Sequence, residues 1–184
     1  MFVTDPGRTP DPAAIARRLP AGAGIVFRAF GAADGLETAR ALRAIAEARG
    51  LILLVGLDEA MAAACGAHGL HLPERAVGEA PAIRRRHPGW LITGAAHDAA
   101  AVARAAAAGL DAALLSPVFP SASPSAGKAM GLEAFARIAR SAALPVYALG
   151  GVTAATAPKL IGSGAAGIAA VESVAEAFGH EKGR

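Results

Sequence analysis

The sequence predicts an α/β fold, a (β/α)8 TIM barrel of minimal size, and three observations predict it. Eight short apolar, β-branched or Gly-bounded runs alternate with eight stretches of helical spacing. Each strand-like run is followed by a helix-like one, which implies parallel strands joined by right-handed crossovers. Of the 184 residues, 51 are Ala, and such small side chains let short helices lie close to the strands. An open doubly wound sheet is the alternative, and it would bind ligand where the strand order reverses. No G-x-G-x-x-G follows the first strand, and there is no Walker A pattern. Residues 1–184 read as a single domain.

The strand-like runs are 1–4, 23–28, 51–55, 69–72, 90–94, 112–116, 145–149 and 166–171. The helical stretches are 11–19, 36–48, 57–65, 79–87, 97–108, 131–142, 153–162 and a tail from 172. Asp11 before Pro12 suits an N-cap with Pro in the first helical position. Asp58, Thr153 and the pair His97-Asp98 open other helices. Gly50, Gly66, Gly109 and Gly164 follow helices, where a positive φ is often required.

Composition removes several classes of function. The chain is 54% hydrophobic and 18% charged, which excludes disorder. Cys65 is alone, so a disulfide scaffold is excluded and a reducing cytoplasm is the expected compartment. No apolar stretch approaches the roughly 20 residues of a membrane span, and no charged n-region precedes an apolar run at the N-terminus. The formal charge of +3 is scattered Arg. Its one cluster, Arg84-Arg85-Arg86-His87, closes a helix-like stretch and complements the helix dipole there. No aromatic residues are interleaved with basic ones for base stacking, so no nucleic-acid partner is expected.

In a barrel the chemistry lies on the loops after the strands. Gly150-Gly151 follow the seventh strand, and Val171-Glu172 open a short helix after the eighth. Together they suit a phosphate, held by backbone N–H groups and a helix N-terminus; the plainer alternative is a tight turn. Arg28 ends the second strand and could meet an anion or reach to solvent. His71 ends the fourth strand, either as a satisfied core residue or as an acid–base group. His97 opens a helix as a cap or as an acid–base group. His68, His87 and His180 read as surface residues. No His or Cys pair has zinc-ligand spacing, so no metal site is read from the residues themselves. The segment Ser116–Lys128 is long for so short a barrel. Ser121, Ser123 and Lys128 would make it a flap offering hydroxyls and an ammonium to a phosphate.

Taken in order, these motifs resemble the thiamine phosphate synthase and thiazole tautomerase superfamily. Phe2–Pro6 resembles its opening strand, and Phe27-Arg28 its second-strand Leu-Arg. Gly66–Leu72 resembles Gly-Ala-Asp-Gly-Val-His-Leu, and Gly94–His97 sits at its Val-Ser-Thr-His. Ser116–Ser121 resembles Gly-Pro-Val-Phe-Pro-Thr. Pro145–Val152 resembles Pro-Val-Val-Ala-Ile-Gly-Gly-Ile, and Gly164–Ala169 its last-strand motif.

The resemblance implies an enzyme of thiamine biosynthesis. It would couple a thiazole phosphate to a pyrimidine diphosphate and release pyrophosphate, with magnesium as cofactor. The implied catalytic residues are Arg28, His71, His97 and Lys128. The implied substrate-binding residues are Ser121, Ser123, Gly150, Gly151, Val171 and Glu172. The metal half departs from the family. The Asn-Asp after the third strand falls on Gly56-Leu57, and the second carboxylate on Ala76, which leaves Asp58 and Glu74 as fallback ligands. Gln becomes Val26, Glu-Lys becomes Ala29-Phe30, Ser becomes Ala95, and the flap Lys becomes Pro124. The tautomerase His is replaced by Pro117. Glu172 replaces a Ser and would repel an anion if it pointed inward.

The expected partner is therefore a small phosphorylated substrate, and a homo-oligomer is compatible with the sequence. Two alternatives stand beside the coupling reaction. One is a different reaction on a phosphorylated heterocycle, such as a tautomerisation or isomerisation, with His71, His97 or Glu74 as acid–base group. The other is a non-catalytic phosphate-ligand-binding or regulatory barrel.

Overall fold

Alternation of short apolar runs with Ala-rich stretches produces eight strands in sequential order, the expected TIM-like α/β architecture. The computed structural model describes residues 1–121 and 127–179. Its contacts group the chain into Met1–Leu70 with the segment from Val171, and His71–Ala170; each unit is taken in turn.

In the first unit β1 (Phe2–Val3), β2 (Gly24–Phe27) and β3 (Ile52–Gly56) pair in parallel, with Phe2 opposite Ile25 and Phe27 opposite Val55. Helix α1 is only Pro12–Ala16, capped by Asp11 accepting from the Ala14 N–H at 2.9 Å, and Pro20 ends the stretch expected to 19. Helix α2 (Gly35–Arg49) buries Ala39, Leu42 and Ala46, a spacing of three and four that forms one apolar stripe. It ends at Gly50, whose φ of 64° makes the left-handed cap that a Cβ would oppose. Helix α3 (Glu59–Cys65) starts two residues later than expected. Leu57 has a φ of 63°, and Asp58 is the cap, accepting from Met61 N–H at 2.8 Å. Helix α7 (Glu172–Phe178), so numbered because α4 to α6 precede it in the chain, closes this unit.

The second unit holds β5 (Leu91–Ala96), β6 (Ala112–Leu115), β7 (Val146–Ala148) and β8 (Gly167–Ile168), paired in parallel in that order. Strand β4 (Gly69–Leu72) precedes them and is buried throughout. Helices α4 (Ala80–Arg86), α5 (Ala99–Ala107) and α6 (Leu132–Ser141) lie between the strands. Their side chains Ile83, Ala101, Val102, Ala105 and Phe135 are buried, as are Ile92, Leu114 and Leu115 on the strands. Arg84, Arg85 and Arg86 do fill the last turn of α4. Arg84 is engaged, donating to Asp111 Oδ2 at 2.8 Å and to Gly109 O at 3.2 Å.

Two further elements differ from expectation. A 3₁₀ segment forms at Glu74–Glu79, where no helix is expected before 79. The helix expected over 153–162 shrinks to a 3₁₀ turn, Ala157–Leu160. Pro158 lacks an N–H, and the Thr153 and Thr156 hydroxyls bond nearby backbone in competition with helix (Thr153 N–H to Thr156 Oγ1, 2.8 Å).

His68 is also not a surface residue. It is half-buried, and its Nδ1 accepts from the Leu53 N–H at 3.0 Å, fastening the strand entrance of β4 to β3. His87 is half-buried too, stacked on Trp90 with ring centroids 3.6 Å apart; His180 lies outside the described residues.

Burial, and then the Arg43 charge, hold His68 below the ordinary imidazole value. The bond from Leu53 needs the Nδ1 lone pair, in keeping with a neutral ring. A base whose folded pKa lies below its unfolded one contributes stability that is complete above the unfolded value, about 6.5. It is lost as pH falls below that toward the folded value. Thermal melts from pH 8 to pH 5 should therefore lose less stability for His68→Asn, whose amide oxygen can still accept from Leu53. An identical pH dependence in both proteins would remove this role from His68.

Candidate active site

Thr4 directly follows β1, and the turn after it builds a polar cluster in the first unit. Thr9 is buried; its Oγ1 accepts from the Asp5 N–H at 2.8 Å and donates to the Asp5 carbonyl at 2.9 Å. The turn holds the Asp5 carboxylate between two arginines. Arg8 donates to Oδ2 at 3.0 Å and Arg28 approaches the same oxygen at 3.4 Å. The Arg8 bond is the main reason that the Asp5 carboxyl lies below the usual carboxylate range. Arg28 is fixed at two further points. Its N–H donates to Thr4 Oγ1 at 2.9 Å, and its Nε to the Thr4 carbonyl at 2.7 Å.

Burial pulls the Arg28 pKa down, opposed by Asp5, and an arginine stays charged at neutral pH regardless. Its guanidinium carbon lies 5.1 Å from the ring centroid of Phe30, which is 70% exposed and has a φ of 49°. Thr4, Thr9, Arg28 and Thr38 line a cleft of about 170 Å³. Glycine at 56 matters here, because a Cβ would stand 3.1 Å from Arg28 Cγ and 3.3 Å from the Phe27 carbonyl oxygen. A side chain there would need the Arg28 stem to shift by a few tenths of an ångström.

Glu172, expected to repel an anion if it pointed inward, instead lies 3.9 Å from Arg8 through Oε1. Arg28 and Glu172 are thus joined within one unit through Asp5 and Arg8. Val171 stands at the N-cap of α7 and makes no side-chain cap bond. Helix α7 has seven residues and already carries a carboxylate in its first turn.

In the second unit His71 is buried, its Nδ1 2.9 Å from Thr93 Oγ1. His97 does not cap α5. Asp98 does, accepting from the Ala101 N–H at 2.7 Å. His97 is exposed, and its Nδ1 sits 2.7 Å from Glu74 Oε2; the other Glu74 oxygen holds Arg104. The carboxylate therefore ties the 3₁₀ segment to α5.

Gly150 and Gly151 have φ values of 87° and 64°. Their immediate neighbours are protein backbone. A Cβ on Gly150 would stand 2.7 Å from Pro117 Cα, and one on Gly151 would collide with the Pro120 carbonyl. The Val118 N–H donates to the Leu149 carbonyl and the Phe119 N–H to the Gly150 carbonyl, both at 3.0 Å. These glycines therefore seat the start of the loop after β6. Ser121 and Lys128 are exposed on that loop; Ser123 lies outside the described residues, as does Pro124.

The magnesium that the resemblance implies requires oxygen donors. Leu57 and Ala76 carry none, the Asp58 carboxylate caps α3, and both Glu74 oxygens are engaged. Among the described residues no three His, Cys, Asp or Glu converge. The two positions that the resemblance assigns to the metal, Leu57 and Ala76, thus supply no oxygen donor from their side chains.

Sequence reasoning missed Asp5, Arg8, Thr9 and Thr93. The i, i+3 spacing of Asp5 and Arg8 beside the Thr9 hydroxyl was the available signal for the first three. Leu57 stands in the position of a metal carboxylate, 44% exposed and left-handed. A bulky side chain in that conformation costs roughly 1–2 kcal/mol. Leu57→Asn should therefore raise stability by up to about 1 kcal/mol in denaturant titrations; a loss of stability would show that Leu57 makes a contact outweighing its strain.

A sequence model of the thiamine monophosphate synthase family matches residues 1–174. A thiamine-phosphate synthase of Methanoculleus marisnigri is 38% identical over 142 residues, which cover 77% of this chain and 67% of that one. A putative thiamine-phosphate synthase of Geobacter sulfurreducens is 35% identical, over 76% of this chain and 66% of its own. The matched segment thus spans about two thirds of these relatives' length. Among solved structures, a thiamine phosphate pyrophosphorylase from Pyrococcus furiosus superposes with a TM-score of 0.81 at 23% identity. It covers 96% of this chain and 90% of its own, and it supports the fold. Among the described residues no helix is long and apolar enough to cross a membrane. The chain belongs to the thiamine monophosphate synthase family.

Proposed function

We propose that the protein makes thiamine phosphate by coupling a phosphorylated thiazole to a pyrimidine diphosphate. A bond forms between the thiazole and the pyrimidine-bearing carbon. The bond from that carbon to the diphosphate oxygen breaks, and its electron pair leaves with pyrophosphate. Negative charge therefore develops on the leaving group and needs a preorganised counter-charge. The observation that carries this reading is the seat of Arg28. Bonds from its guanidinium to the Thr4 carbonyl and the Asp5 carboxylate, and one from its backbone N–H to Thr4 Oγ1, hold it beside a cleft at the end of β2. Lys128, on the loop after β6, is a second cation for a phosphate; Ser121 is on the same loop, and Gly150 and Gly151 seat its start. The lone Cys65 supports a cytoplasmic setting.

The same charge network sets the expected rate. With no side-chain oxygen donor at Leu57 or Ala76, counter-charge falls on a few side chains, and coupling should be slow. Purified protein supplied with both precursors should form thiamine phosphate, and Arg28→Ala should lower the rate about 10²–10³-fold, the usual cost of removing one such contact. Arg28→Lys should recover only part of it, since a lysine cannot reproduce the forked contact. Turnover indifferent to Arg28, or no turnover at all, would overturn the reading. In the latter case, retained binding of thiazole phosphate would favour the regulatory barrel.

A chelator should leave the slow rate standing. A rapid reaction that stops on chelation, and that weakens in Asp58→Asn or Glu74→Gln, would restore those carboxylates as metal ligands.

A further inference from the structure

In the second unit the 3₁₀ turn Ala157–Leu160 stands where a helix is expected over 153–162. A cleft of about 640 Å³, open to solvent, is lined by Leu132, Glu133, Arg137, Arg140, Lys159 and Ile161 among others. That volume is in the range of small-molecule sites.

The walls are fixed. Arg140 Nη2 donates to the Gly162 carbonyl at 2.6 Å, and the buried Ser163 donates to the Leu160 carbonyl at 2.6 Å. Gly164, with a φ of 92°, lies where a Cβ would stand 2.8 Å from Arg140 Cγ, so loop and helix interlock. Three cations face one carboxylate, Glu133. Arg137 and Lys159 are exposed, and neither has an ion-pair partner among the described residues. Ile161 at the rim is 85% exposed, an apolar surface beside the charges. A second copy of this chain is a poor occupant, because the chain itself carries +3.

We infer that this cleft is a second ligand site, separate from the Arg28 cleft, for a small polyphosphate ester carrying an apolar ring. The phosphates meet Arg137, Lys159 and the remaining donors of Arg140, and the ring covers Ile161. The inference does not depend on the coupling reaction.

The probe is inorganic tripolyphosphate, titrated calorimetrically at low ionic strength. Saturable binding is expected, weakened about tenfold by Arg137→Gln and again by Lys159→Gln, as for a lost charge-assisted contact. Both positions are exposed, so folding is not at risk, and the coupling rate should be unchanged in both. Binding should be retained in Arg28→Ala, which separates this site from the proposed active site. ATP should bind more tightly than tripolyphosphate, and Ile161→Ser should remove the difference. Absence of saturable binding, or binding abolished by Arg28→Ala but untouched by the Arg137→Gln/Lys159→Gln pair, would overturn the inference. Equal affinities for ATP and tripolyphosphate would overturn its apolar half.

Discussion

Eight strand–helix units share 184 residues, about 23 for each, where a typical (β/α)8 chain of about 250 residues gives about 31. That shortage of chain governs the rest of the molecule. Strands are reduced to as few as two residues and α1 to five. Helices so short gain little from their own backbone bonds and depend on close packing. Alanine supplies it: Ala39, Ala46, Ala62, Ala101 and Ala105 are essentially buried and let helix backbones approach the strands. Capping then carries unusual weight, because a five- to nine-residue helix is mostly ends. Asp11, Asp58 and Asp98 each close one with a side-chain bond of 2.7–2.9 Å.

The same economy shapes the chemistry. Acidic side chains near the strand ends already have intramolecular partners. Asp58 serves a helix, Glu74 holds His97 and Arg104, and Asp5 holds two arginines. A carboxylate committed in this way is a poor magnesium ligand, since metal binding would have to break its existing bonds. Asp34, by contrast, lines the Arg28 cleft and makes no side-chain cap bond, so that cleft carries a carboxylate as well as a cation. The Arg28 guanidinium is held by the Thr4 carbonyl and the Asp5 carboxylate, and a Cβ at Gly56 would stand 3.1 Å from its Cγ.

The fold was legible because it rests on periodicity. The α2 stripe, the caps at Asp11 and Asp58 and the glycines at 50, 66 and 109 all act within a few residues of themselves, so local sequence suffices. The failures have the opposite character. The stretch 153–162 has helical spacing, but Pro158 and two threonines that bond backbone outweigh it. His68 looked polar and superficial, yet its ring accepts from a strand fifteen residues earlier. The site was legible at the level of which strand end carries which residue. The network of Asp5, Arg8 and Glu172 was not, because Arg8 meets Glu172 across most of the chain's length. Gly150 and Gly151 show a third kind of limit. Sequence marks a position that must be glycine, but not whether a ligand or a neighbouring backbone occupies the space a Cβ would fill.

That last ambiguity bears on how the glycine pair can be used. Both glycines are required by the loop after β6, through positive φ and through contact with Pro117 and Pro120. A large substitution such as Gly151→Asp would displace that loop whether or not a phosphate binds nearby, so lost affinity in such a variant would carry no information about an anion. Arg28 differs in kind. Its partners are side chains and carbonyls at the end of β1, its guanidinium keeps donors beyond those it uses, and its side chain is partly exposed beside a cleft. Removing it alters charge at the cleft more than it alters the path of the chain. The weight of a functional assignment in this barrel therefore belongs on its cations, where electrostatics and packing can be separated, and not on its glycines, where they cannot.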